Sequence, residues 1–203
     1  MFVPPLLLAS ASPRRREILA TLGLPFEAQA VDANEDELPG EPPERYLERI
    51  VAAKLRLARE IAARRGISSV LVADTTVILD GRMLAKPQNP GENRAMIAAL
   101  ASRVHQVKTR FAALGPKGER ARTVSTQVRF RPLSPGEIDS YVATGEGRDK
   151  AGGYAIQGIG AFLVESIKGS YSAVVGLPAC EVVQALVEVG AIPSYPLPLS
   201  EVS

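Results

Sequence analysis

Four stretches of the 203-residue chain hold side chains that could handle an anionic, phosphorylated ligand. The first is LLLASASPRRREIL, residues 6–19. An apolar run stops at Ser10, and Ser12-Pro13 opens a helix, because Ser caps free amides and Pro fits the first helical position. Arg14, Arg15 and Arg16 then stand in the first turn, at the positive end of the helix dipole. Each such cation costs about 0.3–1 kcal/mol when nothing answers it. A strand, a serine-bearing loop and a helix N-terminus bind anions through backbone amides. Ser10 and Ser12 add hydroxyl donors, and Arg14 and Arg15 add planar forks that match phosphate oxygens. On this reading the cations await a polyphosphate. On the alternative they form a solvated face balanced by the acids between residues 35 and 48.

The second stretch is the helix around Lys54. Leu47, Ile50, Leu57 and Ile61 mark its buried stripe, and Lys54 falls on that stripe. A charge there must reach a partner, reach a cleft, or snorkel to water. The third is VLVADTTVILDGRMLAKP. Val70 to Ala73 deliver Asp74 at an expected strand end, followed by Thr75 and Thr76, with Lys86 restrained before Pro87. Asp74 reads as a magnesium ligand in phosphate chemistry or as a turn cap. Glu35, in the acidic loop VDANEDELPGE, offers a second carboxylate or belongs to a solvated surface. The fourth is GRDKAGGYAIQGIGAF, with Asp149, Lys150 and Gln157. Its glycines permit close approach to a ligand or simply make a turn, and the Gln157 amide can both donate and accept to a base edge.

Several chemistries are absent. There is no G-x-x-x-x-G-K-[ST] loop, no complete dinucleotide fingerprint, no serine elbow and no Cys/His pair. The single cysteine, Cys180, precludes an internal disulfide, and the single histidine, His105, sits in an alternating strand where a structural role is expected.

The elements that must position these residues read as follows. A short strand spans 6–9, a helix 13–22 closed by Gly23, and a long helix runs from 42 to Gly66. Next come a strand, a polar break at 74–76, a second strand, and an Asp80-Gly81 hairpin. A helix at 91–100 precedes a long antiparallel pair joined by GPKG. Ser134 to Glu137 form a capping box opening a helix through Val142. A strand is expected at 161–164 and a last helix from Ala179 to about Glu188. This order predicts an α/β fold, a mixed sheet with helices on both faces. Residues 1–190 make one domain, and 191–203 a loose Pro-rich tail. Hydrophobic content of 46% suffices for a sizeable core. Net charge of +2 and 5% aromatics argue against nucleic-acid binding. The apolar start is too short for a membrane span and lacks a signal peptide's basic leader, so a cytoplasmic protein is expected.

Seven ordered blocks, LLLASASPRRREIL, the Lys of VAAKL, VLVADTTVILDG, AKP, VHQVKT, DKAGGYAIQGIGAF and GSYSAVVGLP, resemble the Maf family of nucleotide pyrophosphatases over about residues 6–188. The resemblance implies a Maf/Ham1-like α/β fold: an elongated mixed sheet flanked by helices, with two lobes around a nucleotide cleft. It implies hydrolysis of nucleoside triphosphates to monophosphate and pyrophosphate with a divalent metal, Mg²⁺ or Mn²⁺. A house-cleaning role and a link to septum formation come with it, and a homodimer is the assembly it suggests. Asp74 matches the family's catalytic proton acceptor. Arg14, Thr75 and Gln157 match the substrate-choice positions in the pattern of the dTTP/UTP subfamily. Ser10, Arg15, Glu35, Lys54 and Lys86 match its cleft set, with Asp74 and Glu35 as metal ligands. Two departures occur: Leu55 stands where the family has Ala, and Ala101-Ser102-Arg103 where it has Ser-Gly-Arg. Alternatives are a nucleotide-sensing regulator without turnover and a 7-methyl-GTP-type pyrophosphatase.

Overall fold

The computed structural model describes residues 5–197. Its elements in chain order are β1 (Leu6–Leu8), α1 (Pro13–Thr21), β2 (Phe26–Ala28), α2 (Pro43–Arg65), β3 (Val70–Leu79), β4 (Arg82–Leu84), α3 (Pro90–Leu100), β5 (Val104–Gly115), β6 (Gly118–Phe130), α4 (Pro135–Ala143), β7 (Val164–Lys168), α5 (Tyr171–Val175) and α6 (Ala179–Glu188). Seven strands form one sheet in the order β2-β1-β3-β5-β6-β7, with β4 paired to β3. β1 runs parallel to β2 and β3, whereas β3–β4 and β6–β7 are antiparallel, so the sheet is mixed as expected.

The chain forms two compact units. The first holds residues up to Asp74, Arg110–Thr123 and the chain from Gly176 onward. β1 and the first five residues of β3 are buried on both faces, which explains their apolar runs, whereas β2 at the edge is half-buried to exposed. Leu6, Leu8, Leu71, Ala73, Phe111 and Ala113 pack with Leu19 of α1 and Val182, Ala185 and Leu186 of α6. The alternate residues Leu7, Ala9, Val70, Val72 and Ala112 pack with Val51, Leu55, Ala58 and Ala62 of α2. Period-two alternation thus sends even-numbered β3 residues toward α2. Gly66 ends α2 in the left-handed conformation, with Arg64 and Arg65 at the negative pole of the helix.

The second unit holds Thr75–Thr109 and Val124–Val175. Asn89 caps α3, its side chain accepting from the Glu92 amide at 2.9 Å. The Ser134/Glu137 capping box opens α4 as expected. Asp80 and Gly81 both have positive φ (51° and 78°), the geometry of a two-residue hairpin turn. Ser102 also stands left-handed, at φ 60°. Glycine would adopt that conformation without strain, so serine here carries a local backbone cost.

Four expectations need correction. β3 has no polar break: Asp74, Thr75 and Thr76 continue it, because β-branched threonines suit a strand. Asp74 is therefore mid-strand, not at a strand end. Residues 158–163 form a 3₁₀ helix, and the strand expected at 161–164 runs instead from Val164 to Lys168. The C-terminal segment is not loose where described: Ala191 and Ile192 lie in the first unit's core, and the Tyr195 hydroxyl donates to the Leu22 carbonyl at 3.2 Å. Residues 198–203 of that tail fall outside the described residues. Fourth, β2 and α5 are additional elements. Among the described residues no helix is long and apolar enough to cross a membrane.

Candidate active site

Strand parity builds the centre of the first unit. Asp74 shares the even-numbered face of β3 with Val70 and Val72, the face that α2 covers. Lys54 lies on the buried side of α2 among Val51, Leu55 and Ala58. The two therefore meet, with Lys54 Nζ donating to Asp74 Oδ1 at 2.7 Å. The same ammonium sits 2.6 Å from Glu35 Oε1. The Lys54 and Asp74 side chains are 8% and 11% exposed, Glu35 40%, so the cation is desolvated and the second carboxylate reaches it from the rim. Snorkelling to water is ruled out for Lys54, as is turn-capping for Asp74.

The Arg15 guanidinium is buried in the same unit. Its Nε donates to the Gly176 carbonyl at 2.8 Å and its Nη1 to Ser10 Oγ at 3.2 Å. Ser10 Oγ also accepts from the Ser12 amide at 3.2 Å. Burial pulls the Arg15 pKa below the ordinary arginine value; Asp74 and Glu35 oppose that shift, and the neighbouring Arg14 adds to it. Cations 14 and 15 and carboxylates 74 and 35 thus share one electrostatic neighbourhood. Ser12 departs from expectation: it is the N-cap of α1, but its side chain makes no cap bond. Its hydroxyl is not committed to the helix start, as it would be in an ordinary cap.

Two residues unremarked in the sequence hold Glu35 in place. The Tyr46 hydroxyl donates to the Glu35 carbonyl at 3.2 Å. Arg49 donates to the Asp36 carbonyl at 2.8 Å and forks onto the Glu41 carboxylate, 2.7 Å for Nε and 2.5 Å for Nη2. Its guanidinium lies 5.7 Å from the Tyr46 ring centre. Burial, reinforced by Asp74 and Glu35, pushes the Tyr46 pKa far above the ordinary tyrosine value, so it stays a neutral donor. The acidic loop is therefore pinned to α2. The i, i+3 spacing of Tyr46 and Arg49, one turn apart on a helix, was the available signal.

Asp74 and Glu35 are the residues that could hold a metal. Both present carboxylate oxygen, the donor of hard cations such as Mg²⁺ or Mn²⁺, and both converge on one ammonium. Among the described residues no group of three or more His, Cys, Asp or Glu could hold a metal alone.

In the second unit, Thr75 Oγ1 lies 2.8 Å from Thr109 Oγ1. Lys86 is exposed, and its carbonyl accepts from the Gln88 amide at 3.3 Å. Gln157 is half-buried at the head of the 158–163 turn, in a segment fixed from several sides. Glu146 accepts from the amides of Ile159 (2.9 Å) and Gly160 (2.7 Å). The Tyr141 hydroxyl donates to Glu146 at 3.1 Å and accepts from the Ala155 amide at 3.1 Å. Asn93 donates to the Gly153 carbonyl at 2.8 Å. The glycines there are required: a Cβ on Gly158 would stand 2.3 Å from Glu146 Oε1, and one on Gly153 2.1 Å from Asn93 Nδ2. Lys150 contacts Asp149 and the Glu146 carbonyl, both at 2.5 Å. His105 is structural, as expected: it is buried, 2.7 Å from the Tyr154 hydroxyl, edge-on to Phe130 and Tyr154. Glu146 was not singled out in the sequence, since its role depends on a loop folding back over it.

The profile of a family described as Maf-like protein matches residues 5–189. A dTTP/UTP pyrophosphatase of Syntrophus aciditrophicus is 44% identical over 194 residues, 95% of this chain and 93% of that one. One from Anaeromyxobacter dehalogenans is 46% identical over 201 residues, 96% and 97% of the two chains. Among solved structures, the Staphylococcus aureus Ham1 protein aligns with 91% of this chain and 90% of its own, at 12% identity and a TM-score of 0.42, a likeness too loose to carry detail.

Proposed function

Because the chain belongs to the Maf family, we propose that it hydrolyses dTTP and UTP to the nucleoside monophosphate and pyrophosphate, in a house-cleaning role. The observation that carries the reading is the buried Lys54 ammonium held between Asp74 and Glu35, in the unit that also holds Arg14 and Arg15. An α/β frame uses buried charge of this kind sparingly, because desolvation is costly unless the charge is paired and used.

The chain's own groups divide the work. Arg14, Arg15, Lys54 and Lys86 neutralise the triphosphate, and Ser10 and Ser12 donate hydroxyl hydrogen bonds to it. Arg15 is oriented beforehand by Gly176 and Ser10, so little reorganisation remains at reaction. A water attacks the α-phosphorus, the bond to the bridging oxygen breaks, and pyrophosphate leaves. Asp74 takes the water's proton, while Lys54 holds its other charge interactions in place. A divalent cation on Asp74 and Glu35 would supply further neutralisation of phosphate charge and acidify water. Thr75 and Gln157 contact the base.

A panel of canonical and modified nucleoside triphosphates, with monophosphate and pyrophosphate quantified, tests this. Preferential release of pyrophosphate from dTTP and UTP is expected. Tight nucleotide binding with no product would point instead to a sensor, and preference for 7-methyl-GTP to the sister activity.

A further inference from the structure

The hydroxyl of Thr109 is fully buried on β5, and it has two oxygen neighbours. One is the Ala173 carbonyl at the heart of α5, 2.7 Å away. The other is Thr75 Oγ1, 2.8 Å away. A carbonyl only accepts, so Thr109 donates to Ala173. A hydroxyl has one hydrogen, so Thr109 has none left for Thr75. The Thr75 hydroxyl must therefore be the donor to Thr109. The direction of the whole chain follows: Thr75 O–H to Thr109, Thr109 O–H to Ala173. Thr75 is half-buried, and with its hydrogen given to Thr109 its hydroxyl oxygen can act toward a ligand only as an acceptor.

We propose that Thr109 is a positioning residue that fixes the polarity of Thr75, so that Thr75 Oγ1 meets the nucleotide as an acceptor only and selects a pyrimidine carrying N–H at ring position 3. The inference rests on the pyrophosphatase reading and on Thr75 contacting the base. Uracil and thymine carry that imide hydrogen. Cytosine has a bare lone pair there, which would face the lone pairs of Thr75. A site polar group left facing an unpaired partner discriminates far more strongly than a missing methylene does. Thr109 itself touches no substrate.

The test compares kcat/KM for UTP and CTP in the wild type and in Thr109→Ser, Thr109→Val and Thr109→Cys. The wild type should favour UTP by about tenfold or more. Thr109→Ser keeps the relay and should keep the ratio. Thr109→Val removes both the acceptor and the donor, frees Thr75 to turn its hydrogen outward, and should shrink the ratio about tenfold. Thr109→Cys, a weaker acceptor of similar size, should shift it the same way and serves if the valine variant does not fold. A merely structural role would lower both rates and leave their ratio alone. Equal turnover of UTP and CTP by the wild type, or an unchanged ratio in a folded valine or cysteine variant, overturns the inference while leaving the pyrophosphatase reading intact. Turnover of neither UTP nor dTTP overturns that reading, and the inference with it.

Discussion

Replacing Lys54 with methionine isolates the electrostatic centre of the first unit. Methionine keeps most of the stem and removes the ammonium, so packing against Val51, Leu55 and Ala58 changes little. The Asp74 carboxylate loses its partner at 2.7 Å while its side chain stays 11% exposed. Breaking a buried pair by deleting one member costs about 3–5 kcal/mol, chiefly through the stranded charge. The Glu35 side of the contact is 40% exposed and adds little, since solvent-screened pairs are worth about 0–1 kcal/mol. The expected loss is therefore about 3 kcal/mol. For a chain of this size that is a fall in Tm of roughly 6–12 °C. Urea denaturation of Lys54→Met, Asp74→Asn and the double variant supplies the measurement. Asp74→Asn replaces the stranded anion by a neutral amide, so the double variant should regain about 2 kcal/mol of the single variant's loss. A Lys54→Met protein within 1 kcal/mol of wild type would refute the reasoning, as would strict additivity of the two substitutions.

Three further outcomes are expected. Asp74→Asn should release no measurable pyrophosphate from dTTP or UTP while keeping a native circular dichroism spectrum, and full activity would remove Asp74 from the chemistry. Glu146→Gln places an amide donor against the Ile159 and Gly160 amides; it should cost about 1–3 kcal/mol and raise hydrogen exchange at 158–160. Burial lowers the His105 pKa to about 4, against 6.5 for the free group. The unfolded chain thus binds the proton more readily, and His105 supports stability fully above pH 6.5, with up to roughly 3 kcal/mol lost as pH falls toward 4. In His105→Gln that part of the stability–pH curve should flatten, whereas the region below pH 4.5, where Glu137 is held low by the Ser134 amide and Arg131, should be unchanged from wild type.

Much of the frame is local and so could be read along the chain. The Gly66 stop of α2, the Asp80-Gly81 turn, the Ser134 capping box and α6 over Ala179–Glu188 all depend on neighbours a few residues away. The candidate residues were legible for a different reason, as ordered blocks of a family pattern. The errors arose where local signals competed. Three polar residues in VADTTV look like a break, yet Lys54 neutralises Asp74 across twenty residues and the threonines suit a strand. Ser12 looks like a cap, yet its side chain does not bond the helix.

The sequence by itself determined the α/β alternation, the apolar stripes, and the presence of fixed cations and carboxylates in unusual places. Only the tertiary structure decided which charges meet. Strand parity sends Asp74 to the α2 face, the Tyr46 and Arg49 anchors bring Glu35 to the same ammonium, and Ala173 dictates which way the Thr109 hydrogen points. Those pairings join residues 11 to 64 positions apart, and hydrogen bonds and ion pairs act only over a few ångströms, so no local window of sequence can contain them.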